Sequence, residues 1–246
     1  MVTSLQFIAG SFYIPKDNSK PSGQDAHLIC PEEQVLALAD GVGGWAKHGI
    51  DSGEYARELI SNLEIAIQSG NNHGDLERVL LDAYSNTKAK GASTACIIKL
   101  TDRVLNCLNV GDSGFIVVQE GAVIYRSPIQ QSYFNCQFQL GNSPSCNRPN
   151  SAQSMKVMVQ PGDIIVAGTD GLFDNLFKHE IAGYIVSGVK DGMDPEILAW
   201  TLAERALYKS QDIHCATPYM LDGEAVGHYH EGGKKDDITV IVAYVI

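Results

Sequence analysis

The chain has 246 residues, of which 44% are hydrophobic and 19% are charged, and this length and composition favour a single globular domain over residues 1–246. Its formal net charge of −11 at pH 7 argues against a nucleic-acid partner, because non-specific nucleic-acid binders need a basic face. The longest apolar runs are only as long as strands, so no membrane insertion is expected. The six cysteines form no C-x-x-C pair, which predicts free thiols in an intracellular protein.

The first part of the chain predicts strands followed by two helices. Apolar runs predict three strands, within residues 4–14, 26–29 and 35–39. Asp51 and Glu54 have the spacing of a helix capping box, and apolar residues at helical spacing follow them. A loop is predicted at residues 68–74, after which Asp75 caps a second helix.

The middle of the chain is dominated by strands. Consecutive apolar runs are separated by short polar turns, a pattern typical of antiparallel hairpins. The predicted strands occupy residues 94–100, 104–110, 115–119, 122–126, 155–159 and 164–167. The intervening segment 127–153 is irregular and rich in Pro, Asn, Ser and Gln, which predicts a surface flap that helps to choose the substrate.

The last part of the chain predicts two helices, a polar loop and one strand. A helix is expected at residues 178–189, and Asp194 followed by a proline begins another that ends at Ser210. Residues 211–235 are expected to form a polar loop. The final run at 238–245 is almost continuously apolar, which is typical of a central strand. The order of elements indicates an α+β fold with antiparallel sheets faced by helices.

Aspartates recur at the edges of the predicted strands. They are Asp25, Asp40, Asp112, Asp170, Asp174 and Asp236. Any one of them is explained by a turn at a strand end, but the recurrence exceeds what turns usually need. If they converge, they form an all-oxygen site for a hard divalent cation such as Mg²⁺ or Mn²⁺. The glycines after Asp40 would let the backbone approach such an ion.

An acidic site of this kind predicts phosphoryl chemistry without a protein nucleophile. Two divalent ions about 4 Å apart can bind a phosphoryl group and activate a water for in-line displacement. The chain contains no Gly-x-Ser-x-Gly elbow and no glycine-rich phosphate loop ending in Gly-Lys. The Asp170-Gly171 pair is superficially similar to haloacid-dehalogenase enzymes, but their aspartate pair is missing because residue 168 is glycine.

Four motifs together resemble those of the metal-dependent protein phosphatases of the 2C family, over nearly the whole chain. They are Asp40-Gly41-Val42-Gly43-Gly44, Gly111-Asp112-Ser113, Thr169-Asp170-Gly171-Leu172-Phe173-Asp174 and Asp236-Asp237-Ile238-Thr239. Trp45, the Ser93-Thr94-Ala95-Cys96 segment and the region from Gln130 to Leu140 are similar to a short, mostly organellar branch. That branch includes the T-cell-activation protein phosphatase homologue.

The resemblance implies a sandwich of two antiparallel sheets with helices on the outer faces. It also implies hydrolysis of phosphoserine and phosphothreonine in phosphoproteins, with two Mn²⁺ or Mg²⁺ ions and a possible third. Asp40 would bridge the two ions, and the Gly41 carbonyl, Asp170 and Asp236 would complete their ligands. Asp25 would hold a metal-bound water, and Asp112 and Asp174 would belong to the third ion. The resemblance implies a mitochondrial or other organellar location. The other features of the sequence, taken without the resemblance, favour the cytoplasm.

Departures from the family pattern leave alternatives open. Many members have a phosphate-binding arginine where this chain has Lys20, and an acid where it has Gln24. A lysine supplies a point charge but no bidentate clamp. Asp237 occupies a position that is Asn in many relatives, so the metal is assigned to Asp236. The alternatives are a non-catalytic binding or regulatory module and a hydrolase of small phosphoesters. A monomer is expected.

Overall fold

The computed structural model describes residues 4–20, 22–70 and 74–246. Fourteen strands are present in this part of the chain: β1 Phe7–Ile14, β2 Asp25–Cys30, β3 Val35–Asp40, β4 Ala92–Ser93, β5 Ala95–Thr101, β6 Val104–Val110, β7 Gly114–Gln119, β8 Ala122–Arg126, β9 Gln131–Tyr133, β10 Cys136–Gln137, β11 Leu140–Gly141, β12 Gln153–Met158, β13 Ile164–Gly168 and β14 Ile238–Val245. The helices are α1 Ser52–Gln68, α2 Leu76–Asn86, α3 Asp170–Phe173, α4 Lys178–Lys190, α5 Pro195–Ser210 and α6 Pro218–Ala225.

Ten of the strands form two five-stranded sheets in which every pair is antiparallel. The first sheet has the order β1-β14-β13-β7-β8, and the second has the order β12-β6-β5-β3-β2. The last strand, β14, lies between β1 and β13, so the central position predicted from its apolar sequence is confirmed.

The two sheets pack face to face. The inner face of each sheet is buried against the other sheet, and the outer face of each is covered by helices. Along β14, Ile241 and Ala243 point into the layer between the sheets, whereas Val240 and Val242 pack beneath helices. A strand buried on both faces has no reason to alternate apolar with polar residues. The continuous apolar runs in the sequence follow from this arrangement.

Helices cover the outer face of each sheet, which completes the α+β sandwich. Helices α1 and α2 pack on the second sheet, where Tyr55, Leu59 and Leu63 are fully buried. Helices α3, α4 and α5 pack on the first sheet, through residues such as Ile181 and Leu198. The fold class expected from the sequence is therefore confirmed.

Aspartates cap the N-termini of α1, α2 and α5, largely as predicted. Asp75 accepts hydrogen bonds from the Glu77 and Arg78 amides at the start of α2, and Asp194 accepts one from Ile197 at the start of α5. Asp51 caps α1 through the Gly53 amide at 2.9 Å. Within the described residues, no bond returns from the Glu54 side chain to Asp51, so the predicted capping box is a one-sided cap.

Three loop predictions need correction or completion. The polar loop predicted at 211–235 contains helix α6, which Thr217 caps through the Met220 amide. The glycine-rich loop after Asp40 forms a 3-10 turn over Gly43–His48. The loop predicted at 68–74 lies partly outside the described residues. Across the described ranges, no helix combines the length and apolarity that crossing a bilayer requires.

The predicted flap contains regular structure and is anchored in the fold. Strands β9 and β10 form a small hairpin, and β11 pairs with β4. Leu140 in β11 is fully buried against the core under α1 and α2. The flap is therefore attached at its base, while Tyr133 near its tip is 71% exposed.

The packing between the sheets makes a stability prediction. Replacing the fully buried Leu105 of β6 by alanine leaves a cavity between the sheets, and we expect this to lower the free energy of unfolding by about 2–5 kcal/mol. Met158→Ala in the neighbouring strand β12 is the control, because Met158 is 67% exposed and should change stability by no more than about 0.5 kcal/mol. Urea denaturation of both variants measures the difference, and equal losses would contradict the packing described here.

Candidate metal centre

The acidic residues meet because both sheets deliver aspartates to the same end of the sandwich. Asp25 is the first residue of β2 and Asp40 is the last of β3, and the two are directly paired in the antiparallel register. From the other sheet, Asp170 begins α3 just after β13, and Asp236 lies just before β14. Since β13 and β14 are antiparallel neighbours, the end of one and the start of the other are adjacent.

The centre of the group consists of Asp40, Asp112 and Asp170. Carboxylate oxygens of these three residues all lie within 4.8 Å of one another. Asp112 reaches them from the turn between β6 and β7. We use the name acidic cluster for these residues together with their neighbours. Its members are Asp25, Asp40, Asp112, Asp170, Asp174 and Asp236.

Asp25 is fixed by two threonine hydroxyls from the opposite sheet. Its Oδ2 accepts hydrogen bonds from Thr169 at 2.9 Å and from Thr239 at 2.7 Å. Its Oδ1 is buried and has no hydrogen-bond partner among the described residues. The carboxylate is thus held in one orientation with one oxygen free to accept a further bond. The two threonines were not identified as site residues from the sequence, although both belong to the motifs quoted above.

Gly41 holds the backbone close to its neighbours after Asp40. A Cβ atom at Gly41 would lie 2.7 Å from the carbonyl oxygens of Gln24 and Ser52, whereas one at Gly44 would meet nothing within 4 Å. The close approach expected of the glycines is therefore required at Gly41 and absent at Gly44. In the described part of the chain, no hydrogen bond reaches the Gly41 carbonyl oxygen, so it remains available as a ligand.

Lys234 joins the remaining aspartates to the cluster, and sequence reasoning did not identify it. Its Nζ forms ion pairs with Asp170, with Asp174 at 2.8 Å and with Asp236 at 3.4 Å. Lys16 reaches Asp236 from outside at 3.1 Å. Asp174 is the C-terminal cap of α3 and does not cap α4, whose N-terminal cap is Phe177. The only signal for Lys234 is the lysine pair directly before Asp236.

Lys20 and Asp237 lie apart from the centre of the cluster. Lys20 is exposed and lines an open cleft of about 1110 Å³, whose other lining residues include Lys16, Lys235 and Asp237. Asp237 is buried and accepts hydrogen bonds from the Tyr13 hydroxyl at 2.6 Å and from the Lys16 amide at 3.1 Å. Asp237 therefore anchors the N-terminal segment beside the cluster.

Burial and mutual repulsion disfavour the charged forms of these carboxylates. Burial first, and repulsion from neighbouring aspartates second, raise the pKa of Asp25, Asp40, Asp112 and Asp236 above the usual range. Burial also raises the pKa of Asp174, to about 7, against the opposing attraction of Lys234. A group of acids with raised pKa values is a candidate functional site.

The cluster fits a divalent metal ion by its chemistry. All its side-chain donors are carboxylate oxygens, which hard cations such as Mg²⁺ and Mn²⁺ prefer. Among the described residues, Asp25 Oδ1, Asp112 Oδ1 and Asp170 Oδ1 are buried without hydrogen-bond partners. Buried oxygens are rarely left unpaired in native proteins, so these atoms are suited to accept a metal ion or a water bound to it.

The arrangement is that of an α+β sandwich with a carboxylate site where its two sheets meet, and comparisons with known proteins identify the family. The family model described as Stage II sporulation protein E (SpoIIE) matches residues 31–246. A curated relative, "Putative protein phosphatase 2C 24" of Oryza sativa subsp. japonica, is 36% identical over 99% of this chain and 78% of its own length. The chain belongs to the metal-dependent protein phosphatase 2C family.

Other relatives agree with this assignment. "Probable protein phosphatase 2C 55" of Arabidopsis thaliana is 48% identical over 98% of this chain, which corresponds to 52% of its own length. The chain thus spans about half the length of this curated relative. The X-ray structure of the photosystem II phosphatase PBCP superposes with a TM-score of 0.91 at 30% identity, covering 98% of this chain and 99% of that one.

The raised pKa of Asp174 makes a prediction for the protein in a metal chelator. The folded state holds this proton up to about pH 7, whereas the unfolded chain releases it near pH 4. The stability from this proton is present below the unfolded pKa and is lost as the pH rises through the folded pKa. Between pH 5 and pH 7, the free energy of unfolding should therefore fall more steeply for the native chain than for Asp174→Asn, by up to ~1.4 kcal/mol per pH unit.

Urea denaturation in EDTA at pH 5, 6 and 7 measures these slopes. Asp191→Asn is the matched control, because Asp191 is exposed at the end of α4 and its variant should keep the native slope. Equal slopes for the native chain and Asp174→Asn would contradict the raised pKa.

Proposed function

We propose that this protein is a metal-dependent serine/threonine protein phosphatase, which hydrolyses phosphoserine and phosphothreonine in phosphoproteins. The observation that carries the proposal is the convergence of Asp40, Asp112 and Asp170, whose oxygens lie within 4.8 Å of one another, in a chain of the protein phosphatase 2C family. No described feature favours the non-catalytic alternative, since the acidic residues are intact and buried oxygens remain unpaired.

In this proposal, the acidic cluster holds two Mn²⁺ or Mg²⁺ ions, with a third as a further possibility. Asp40, the Gly41 carbonyl, Asp170 and Asp236 would hold the two ions, and Asp112 and Asp174 would hold the third. When bound, such ions lower the pKa of a water and stabilise the charge of an in-line phosphoryl displacement. A similar structure, described as the catalytic domain of PstP in complex with 2 manganese ions, shares this fold at 17% identity over 99% of this chain and 100% of that one, with a TM-score of 0.67.

The chain's own residues orient the reactants. Asp25 is fixed by Thr169 and Thr239, so its free oxygen is placed to accept a hydrogen bond from the attacking water. Attack of the water at phosphorus forms a new P–O bond and breaks the ester bond, so that inorganic phosphate is released. The seryl or threonyl oxygen leaves as a hydroxyl, and its proton comes from the attacking water. Lys20, on the wall of the cleft, offers a positive charge to the phosphate.

We also propose that the chain forms one domain, that the protein is a monomer and that it is located in an organelle. The last is supported by the similarity to a photosystem II phosphatase.

Removing a central aspartate tests the activity directly. We expect Asp40→Asn and Asp170→Asn to lower Mn²⁺-dependent hydrolysis of p-nitrophenyl phosphate and of a phosphothreonine peptide by more than about 100-fold. Loss of a residue that only supports a metal ligand typically costs about 10- to 100-fold, and loss of the ligand itself should cost more. Calorimetry with Mn²⁺ measures binding on the same samples. Asp191→Asn, an exposed aspartate, serves as the control and should retain native turnover.

The outcomes separate the alternatives. A folded protein that binds Mn²⁺ but hydrolyses neither substrate would overturn the enzyme proposal and favour the non-catalytic module. Turnover of small phosphoesters without turnover of phosphopeptides would instead indicate a hydrolase of metabolites.

The proposed role of Lys20 in phosphate binding can be tested separately from the metal centre. We expect Lys20→Ala to raise KM for a phosphopeptide about fivefold with little change in kcat, the effect of about 1 kcal/mol for an exposed ion pair. Lys20→Arg should retain or lower KM, since a guanidinium can bind phosphate through two hydrogen bonds. Lys190→Ala at the end of α4 is the control. An unchanged KM in Lys20→Ala would remove this residue from the phosphate site.

A further inference from the structure

A single ammonium group is shared by three carboxylates at one end of the acidic cluster. Lys234 Nζ contacts Asp170, lies 2.8 Å from Asp174 and lies 3.4 Å from Asp236. Asp170 is also one of the three residues whose oxygens converge within 4.8 Å. A divalent ion that binds these carboxylate oxygens would therefore have to share them with the ammonium group or displace it.

The backbone of Lys234 is fixed by hydrogen bonds to both its amide and its carbonyl group. The Lys234 amide donates to Asn175 Oδ1 at 2.9 Å, and Asn175 Nδ2 donates to the Lys234 carbonyl at 2.8 Å. Asn175 is fully buried and is itself held by a 2.9 Å bond to the Gly171 carbonyl, one residue from Asp170. The lysine is thus bonded to the residue that follows the C-terminal cap of the short helix α3, which begins with Asp170.

The glycines before Lys234 and an aromatic ring beside it complete this placement. A Cβ at Gly233 would lie 2.0 Å from the Lys209 carbonyl oxygen, and one at Gly232 would lie 2.2 Å from that of Asp212. The loop is therefore packed against the end of α5. The Lys234 ammonium also lies 5.2 Å from the centre of the Tyr219 ring, a cation–π distance. The Lys234 ammonium group is therefore positioned beside the aspartates by the packing of its loop and by the Tyr219 ring.

Electrostatics gives this placement a consequence for metal binding. A fixed positive charge lowers the repulsion among Asp170, Asp174 and Asp236 when no ion is bound. The same charge repels a divalent cation at the oxygens it occupies, and at separations of a few ångströms in a partly buried site this repulsion is strong. A counter-ion built into the chain therefore stabilises the metal-free cluster and weakens binding at one end of it.

We propose that Lys234 is an internal competitor for divalent cations at the Asp170–Asp174–Asp236 end of the acidic cluster, so that it limits how many ions the cluster holds. The inference deepens the metal centre and rests on the proposed function. Lys234 is in this view a specificity-determining residue for metal binding, with no part in the transfer of the phosphoryl group.

Lys234→Met tests the inference, because methionine keeps much of the length and removes the charge. Calorimetric titration with Mn²⁺ should show one more bound ion than in the native chain, or at least tenfold tighter binding of the weakest ion. In EDTA, the melting temperature of Lys234→Met should fall below that of the native chain, and Mn²⁺ should raise it by more than it raises the native value. Lys235→Met is the matched control, since it makes the same change of charge at a side chain that lines the cleft.

The outcomes decide between the metal centre and the role of Lys234. If the native chain binds Mn²⁺ and Lys234→Met binds it with the same number and affinity, the competitor role is overturned and the centre remains. If neither protein binds Mn²⁺, the centre and the role of Lys234 are both overturned. An equal increase in Lys235→Met would show a general charge effect and would also overturn the inference.

A second variant covers failure to fold. Lys234→Gln retains N–H donors for the aspartates without the charge, so it keeps part of the contacts around α3. The same gain in Mn²⁺ binding is expected for it. Native-like binding by Lys234→Gln would overturn the inference whether or not Lys234→Met folds.

Discussion

The acidic site depends on two hydrogen bonds that join the sheets at the Asp25 carboxylate. Thr169 follows β13 and Thr239 lies within β14, and both donate to the same oxygen of Asp25 at the start of β2. Burying an unpaired carboxylate is costly, and charged hydrogen bonds reduce that cost. Because the donors and the acceptor come from different sheets, satisfying Asp25 also fixes the alignment that brings Asp40 toward Asp170.

A second constraint opposes the first, since the aligned aspartates repel one another. Burial and repulsion raise the pKa of several of them, and such a group is stable only if positive charge lies nearby. The described residues supply this charge from Lys234, which is 16% exposed, and from Lys16, which is 47% exposed. The more buried lysine is the stronger counter-ion because water and salt screen it less.

The sequence predicted most of this framework because the framework depends on local patterns. The run at β14 is apolar throughout since both faces are covered, and Asp40, Asp170 and Asp236 stand close to the end or start of such a run. Helix α6 escaped prediction because it is short and lies in a polar segment, although Thr217 followed by a proline is a recognisable start. Lys234 escaped for another reason: Lys234 and Lys235 are identical in type. The contacts that turn Lys234 inward, such as its hydrogen bonds with Asn175 and the packing of Gly233 against α5, come from distant parts of the chain.

The division of the lysines also places positive charge at the surface of an acidic protein. The chain carries a net charge of −11, which disfavours the approach of anions at long range. Lys16, Lys20 and Lys235 line one cleft beside Asp237, and a local concentration of positive charge raises the concentration of anions in its vicinity. Lys234 adds nothing to that attraction, since its charge is balanced inside the cluster. Neighbouring lysines in the sequence therefore serve opposite purposes, one directed at the carboxylates and the other at the solvent.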